Sequence, residues 1–243
     1  MPVKLFFSII IPAFNEEGYL PSCLKAVINQ SFPKESYEII VVNNNSTDKT
    51  EKLAKKFKAV KVVSESKRGL VMARNKGLSV SKGNIIVNLD ADCIVPKNWL
   101  EKIEKHFLQT KNLVLLTGPY VPEKGQSNHI DTINNNLSLM FYKIFKKPLG
   151  YWGGNVAILK SALKKIGGYN LTNPFHDELT LLHKLDKIGK TIYDPDLNIA
   201  SSNRRVKGRT WKFILKEVLF LYFINNVYNK VTKKSLSQWE TIR

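Results

Sequence analysis

Residues 83–93 read GNIIVNLDADC, and the order of residue types in that stretch decides the fold. Ile85–Leu89 is a near-continuous apolar run rich in β-branched side chains, the pattern of a strand buried on both faces. It stops at Asp90-Ala91-Asp92. If the chain stays extended there, the two carboxylates point the same way, roughly 6.5–7 Å apart. A strand that ends in acids suits an open parallel sheet, where ligands bind beyond the carboxyl ends of the strands. Taken alone, the triplet also reads as a pair of acids capping a loop before Pro96.

Outward from this stretch, the first half alternates short apolar runs with amphipathic patterns, as in an α/β sheet covered by helices. Strands are expected at Phe7–Pro12, Glu38–Val42, Val60–Val63, Ile85–Leu89 and Leu113–Thr117. Helices are expected at Gly18–Gln30, Thr47–Phe57, Leu70–Ser79 and Asn98–Gln109, with Thr47 and Asp48 offering capping oxygens. Polar clusters follow three of the strands: PAFNEE (12–17), NNNSTD (43–48) and DADC (90–93). Their convergence on one sheet edge says more than any one cluster. Beyond residue 118 the pattern is less regular. A helical pattern around Asn136–Phe145 precedes Gly153-Gly154, a strand NVAILK, a helix SALKKI and a further helix from Asp177 to Ile188.

Each cluster suggests chemistry. One carboxylate of Asp90 and Asp92 suits a hard divalent cation, Mn2+ or Mg2+, bridging diphosphate oxygens, and its neighbour suits a ribose hydroxyl. Phe14 offers a ring for a nucleobase or for core packing. Asn43, Asn44 and Asn45 offer amides for a base or for a turn. Arg68 and Arg74 suit phosphates or simply the surface. Asp177-Glu178 opens a helix with Leu179, Leu182 and Leu185 at helical spacing, where acids also complement the macrodipole. The four histidines do not cluster at ligand spacing, His176 and His183 included, and no Ser–His–Asp set or Walker-type glycine loop is present.

Composition narrows the class. The chain has 243 residues, of which 43% are hydrophobic, enough for a substantial core. A formal charge of +18 favours anionic partners, whether nucleic acid, nucleoside diphosphate or anionic lipid. Two cysteines, Cys23 and Cys93, in separate elements indicate no disulfide scaffold and suit a reducing compartment. The apolar run Leu5–Ile11 is too short for a bilayer span and reads as a strand.

In this order, SIIIPAFNEE (8–17), IIVVNNNSTDKT (39–50), RGLVMARNKG (68–77), GNIIVNLDADC (83–93), GGNVAILKSALKKIGGYN (153–170) and DELTLLHKLDKIG (177–189) resemble the family 2 glycosyltransferases. The resemblance implies a GT-A fold, a Rossmann-like, mostly parallel sheet flanked by helices. It implies that Pro12, Ala13, Phe14 and Glu16 line the nucleoside pocket, with Arg68, Arg74 and Ala91 also on the donor side. Asp90 would meet the ribose and Asp92 the metal. Gly153, Gly154 and Asn155 would approach the sugar and the acceptor. Asn43 stands where the family usually has an aspartate touching the base, exchanging a pure acceptor for an amide. The family's base is the aspartate of a Glu-Asp pair. Here the pair is reversed, and counting back from Leu181, Leu185 and Gly189 puts Glu178 at the base position, with Asp177 as the alternative. Lys184 replaces a common arginine.

The reaction implied is a single in-line displacement with inversion, from a UDP-, GDP- or dTDP-sugar to a glycan or lipid-linked hydroxyl acceptor. The expected organisation is a catalytic domain over 1–208, with a donor half (1–118) and an acceptor half (119–208), and a basic helical tail over 209–243. The segment RRVKGRTWKFILKEVLFLYFINNVYNKVTKK (204–234) has basic flanks and an aromatic, apolar centre broken by Lys216 and Glu217. It suits an interfacial helix, with Trp211 and Tyr222 near headgroups, on the cytoplasmic leaflet of an anionic membrane. Packing on the body, or a homodimer contact, is the alternative. Arg204 and Arg205 are alternative partners for the donor diphosphate. Two rival readings stand beside the enzyme: a nucleic-acid-binding module, which leaves the acidic clusters unexplained, and a nucleotide-sugar- or carbohydrate-binding protein without catalysis.

Overall fold

The computed structural model describes residues 6–123, 129–148, 153–169, 177–202 and 204. Along the chain the strands are β1 (Phe7–Ala13), β2 (Tyr37–Asn43), β3 (Val60–Ser64), β4 (Ile85–Leu89), β5 (Cys93–Ile94), β6 (Leu113–Thr117), β7 (Tyr120–Pro122), β8 (Asn155–Leu159), β9 (Lys190–Tyr193) and β10 (Ile199–Ser201). The helices are α1 (Leu20–Ile28), α2 (Thr50–Ala54), α3 (Leu70–Val80), α4 (Trp99–Gln109), α5 (His129–Phe145), α6 (Lys160–Lys165) and α7 (Asp177–Asp186).

Seven strands form one sheet in the order β3-β2-β1-β4-β8-β6-β9. All neighbours are parallel except β8, which runs antiparallel to both β4 and β6. The alternation of side chains along each strand splits the core into two layers. Ile9 and Ile11 of β1 and Ile85, Val87 and Leu89 of β4 join Leu24 of α1 and Trp99 and Ile103 of α4. Ile10 and Ile86, on the opposite face, join Val71 and Ala73 of α3 and Leu181 and Leu185 of α7. Both faces are therefore covered, which is why these strands lack a polar alternation.

A second, three-stranded sheet has the order β5-β10-β7. In it, β10 is antiparallel to β5, pairing Ser201 with Cys93, and parallel to β7, pairing Ile199 with Tyr120. This ribbon brings residues from the end of the described chain beside the Asp90–Asp92 triplet.

The strands of the first half and its helices stand where the sequence places them, with ends shifted by a few residues. The largest shift is α2, helical only from Thr50: Lys49 is the N-cap and no side chain caps it, while Asp48 Oδ1, one position earlier, accepts from the Thr50 N–H at 2.9 Å. In the second half, α5 covers His129–Phe145, longer than the helical pattern around Asn136–Phe145. The short strands β5, β7, β9 and β10 go beyond the sequence reading. The sheet also crosses the boundary drawn at residue 118, because β8 and β9 pair with β4 and β6. The tail over 209–243 lies outside the described residues.

Candidate active site

Three strand ends meet at one edge. The register pairs Ala13 with Asn43 and Ile10 with Asn88, so residues following β1, β2 and β4 emerge side by side. The loops after β1 and β2 are stitched to each other. The Glu16 N–H donates to Thr50 Oγ1 (2.7 Å), the Thr47 N–H to Asn15 Oδ1 (2.8 Å) and the Lys49 N–H to Glu17 Oε2 (3.0 Å). Glu16 is thereby fixed, and it is 8% exposed. Pro12 is half-buried, and Ala13 and Ala91 are buried, so the two alanines belong to the floor of the site.

Two constellations flank Gly153-Gly154. In the first, the Tyr120 hydroxyl donates to Asp90 Oδ2 at 2.9 Å and accepts from the Gly154 N–H at 2.9 Å. A side chain at Gly154 would overlap the Asp90 carboxyl group. In the second, Arg74 Nη1 and Nη2 each lie 3.4 Å from Glu178 Oε1, and a side chain at Gly153 would overlap both partners. The glycine pair lets two carboxylates from different helices and strands approach one backbone segment. Glu178 keeps 42% of its side chain exposed, within reach of an incoming molecule.

The structure revises several sequence readings. Arg74 is 2% exposed; α3 packs on β1 and β2, and the guanidinium pairs with Glu178. It is not a surface residue. Arg68 lies over the Phe14 ring, 4.9 Å from its centroid, so the two act as one cation–π unit at the rim. Asn43 donates to Glu51 Oε2 at 2.9 Å and accepts from the Ser46 N–H at 3.2 Å, so a carboxylate lies beside its amide. Asn155 is fully buried. It accepts from Trp99 Nε1 at 3.1 Å and donates to the Leu197 carbonyl at 2.6 Å. Its side chain serves the scaffold. The side chain of Asp177 and all of His176 and Arg205 lie outside the described residues.

Sequence reasoning did not single out Tyr120, Glu51 or Tyr19. Tyr120 sits on a strand too short for a periodic signal, and Glu51 reads as an ordinary helix residue. Cys23 and Cys93 are both buried and unpaired with each other. Burial, with Asp90 and Asp92 nearby, pushes both thiols upward, which removes them as nucleophiles.

The donor set suits a divalent cation shared with a diphosphate. Asp92 and Glu16 already converge on one cationic group: Arg204 Nε donates to Asp92 Oδ2 at 3.0 Å and Nη2 to Glu16 Oε1 at 2.5 Å. Among the described residues no group of three or more His, Cys, Asp or Glu side chains forms a full cage. One or two carboxylates completed by phosphate oxygens and water is the usual arrangement for a small hard ion.

A mixed sheet with carboxylates at its carboxyl edge and a glycine pair between them has the α/β architecture of the GT-A fold. The Glycosyl transferase family 2 model matches residues 8–167, and the chain belongs to that family. It is 38% identical over 102 residues to the glycosyltransferase AglE of Haloferax volcanii, covering 40% of this chain and 34% of that protein. It is 34% identical over 151 residues to a Methanococcus voltae protein, covering 59% of this chain and 45% of the relative. That relative is named dolichyl N-acetyl-alpha-D-glucosaminyl phosphate 3-beta-D-2,3-diacetamido-2,3-dideoxy-beta-D-glucuronosyltransferase. The chain thus spans less than half the length of these curated relatives. In fold it matches a mannosyltransferase from Pyrobaculum calidifontis, solved with GDP-Man and Mn2+, at a TM-score of 0.72. Identity there is 20%, with 93% of this chain and 65% of the other covered.

Proposed function

We propose that this chain transfers a glycosyl unit from a nucleoside diphosphate sugar to a hydroxyl acceptor, with a divalent cation and with inversion at the sugar carbon. The observation that carries this reading is the meeting of Glu178–Arg74 and Asp90–Tyr120 across Gly153-Gly154, at the carboxyl edge of the parallel strands.

Phe14 would stack on the base, and Asn43 with Glu51 would contact its edge. Asp90, oriented by Tyr120, would accept from a ribose hydroxyl. Asp92, with Glu16 beside it, would hold Mn2+ or Mg2+. A cation bound there would neutralise the charge that grows on the departing diphosphate. Glu178, oriented by Arg74, would take the proton of the acceptor hydroxyl as that oxygen attacks the sugar carbon from the face opposite the leaving group. A single attack of this kind inverts the configuration.

For the acceptor, a lipid-linked glycan precursor at the cytoplasmic leaflet is supported by three features: the dolichyl phosphate in the name of the Methanococcus voltae relative, the charge of +18, and the basic aromatic segment after residue 204. Among the described residues no helix is long and apolar enough to cross a membrane.

The test has two parts. Thermal shift with UDP-, GDP- and dTDP-sugars plus Mn2+ or Mg2+ is expected to single out one donor by its stabilisation. With that donor, Glu178→Gln is expected to keep binding while transfer falls by about 10²–10⁴-fold. Full transfer by Glu178→Gln together with an inactive Asp177→Asn would move the base to Asp177. Stabilisation by none of the donors would remove the nucleotide-sugar reading.

A further inference from the structure

The guanidinium of Arg204 occupies the place where the chemistry calls for a metal. Besides its bonds to Asp92 Oδ2 and Glu16 Oε1, it lies over the Tyr19 ring, 4.5 Å from the centroid. The Asp92 side chain is 3% exposed, that of Glu16 11% and that of Arg204 27%. Two carboxylates this buried need a cation, because an ionised acid withdrawn from water without one is costly.

The fold delivers the arginine. Ser201 of β10 pairs with Cys93, the Ser202 N–H donates to the Asp92 carbonyl at 3.3 Å, and the Arg204 N–H donates to Ser202 Oγ at 3.2 Å. Ser202 is thus anchored on the very residue whose carboxylate Arg204 neutralises. Sequence distance gives no hint of this, since Arg204 and Asp92 are 112 positions apart.

We propose that Arg204 is a built-in counter-cation of the donor site and that it competes with the divalent ion for Asp92. The proposal rests on the reading of Asp92 as the metal-holding carboxylate. A divalent ion on Asp92 Oδ2 would meet the guanidinium at the same oxygen, where two like charges at contact distance repel each other. Metal entry therefore requires Arg204 to leave Asp92. A diphosphate offers the released guanidinium oxygens that match its planar donor fork. Asp92 passes from arginine to metal, while Arg204 passes from carboxylate to phosphate. Metal alone and nucleotide alone then bind weakly, and the two together bind cooperatively, each tightening the other by the same factor.

The test measures Mn2+ affinity by the electron paramagnetic resonance of free Mn2+, with and without UDP and GDP, in the full chain. Wild type is expected to bind Mn2+ weakly alone and at least about tenfold more tightly with the matching nucleotide, a coupling of the size common between linked sites. Arg204→Met, similar in length but uncharged, is expected to tighten Mn2+ alone by about tenfold and to erase most of the nucleotide's effect. Arg204→Lys, which keeps a charge without the fork, should fall between the two, and it carries the test if the Met variant does not fold. In chelator the Met variant should melt below wild type and recover on adding Mn2+. Unchanged Mn2+ affinity in Arg204→Met and Arg204→Lys, alongside loss of Mn2+ binding in Asp92→Asn, would overturn the counter-cation and leave the metal site standing. Undiminished Mn2+ binding in Asp92→Asn would remove the metal reading and the counter-cation with it.

Discussion

Asn43 illustrates how much one atom matters. Its amide nitrogen donates to Glu51 Oε2 at 2.9 Å in a position only 5% exposed, while Glu51 is also held by Lys55. The family's usual aspartate at this position would set two carboxylates against each other. Asn43→Asp, a change toward the common pattern, is therefore expected to destabilise the protein by about 1–3 kcal/mol, the cost of losing a buried donor and facing an unsatisfied acid. Urea unfolding of the two forms measures it. A gain in stability would show that Glu51 is not tied to Asn43. Gly153 and Gly154 make the same point by absence of atoms: any side chain there would occupy the space of Glu178, Arg74 or Asp90.

At the scale of elements, pairs of helices and strands hold the site from behind. Trp99 of α4 donates to Asn155 at the start of β8, and Asn155 in turn reaches the Leu197 carbonyl. That bond ties the segment carrying the glycine pair to the turn before β10. A second tie joins α4 to the end of β9, where His106 Nε2 lies 2.8 Å from Asp194 Oδ2. Burial alone would raise the Asp194 carboxyl, but the His106 hydrogen bond, the Asp196 N–H and nearby Lys102 outweigh it and hold the group below its ordinary value. A depressed acid contributes stability above the ordinary carboxylate range and loses it as pH falls through the folded value. Asp194→Asn should consequently melt below wild type at pH 7, with the gap closing as the pH is lowered through the acid range. A gap that stays constant across that range would mean the charge is not what stabilises the tie.

Across the whole molecule, charge and site separate. The acids that matter, Glu16, Asp90, Asp92 and Glu178, gather at one edge of a chain whose balance is +18. A net positive charge of that size favours anionic partners, diphosphates and anionic lipid among them, and a vesicle assay tests the proposed membrane contact. The full chain is expected to sediment with vesicles of phosphatidylcholine and phosphatidylglycerol at low salt and to be released as salt shortens the screening length. Recovery wholly in the supernatant at low salt would remove the membrane contact from the proposal and leave catalysis untouched.

Read by itself, the sequence determined the alternating α/β plan, the strands β1, β2, β3, β4 and β6, and the three polar clusters that gather at one edge. Local rules suffice there: continuous apolar runs mark doubly covered strands, and parallel order forces their ends together. The structure alone decided that Arg74 orients Glu178, that Tyr120 orients Asp90, that Asn155 belongs to the core and that Arg204 meets Asp92 and Glu16. Each of these is a contact between residues far apart in the chain, and two of them, Tyr120 with Asp90 and Arg204 with Asp92, are carried by the short strands β7 and β10, which have no periodicity of their own. Such pairs arise from the way the sheet stacks its segments, and no window of sequence contains both members.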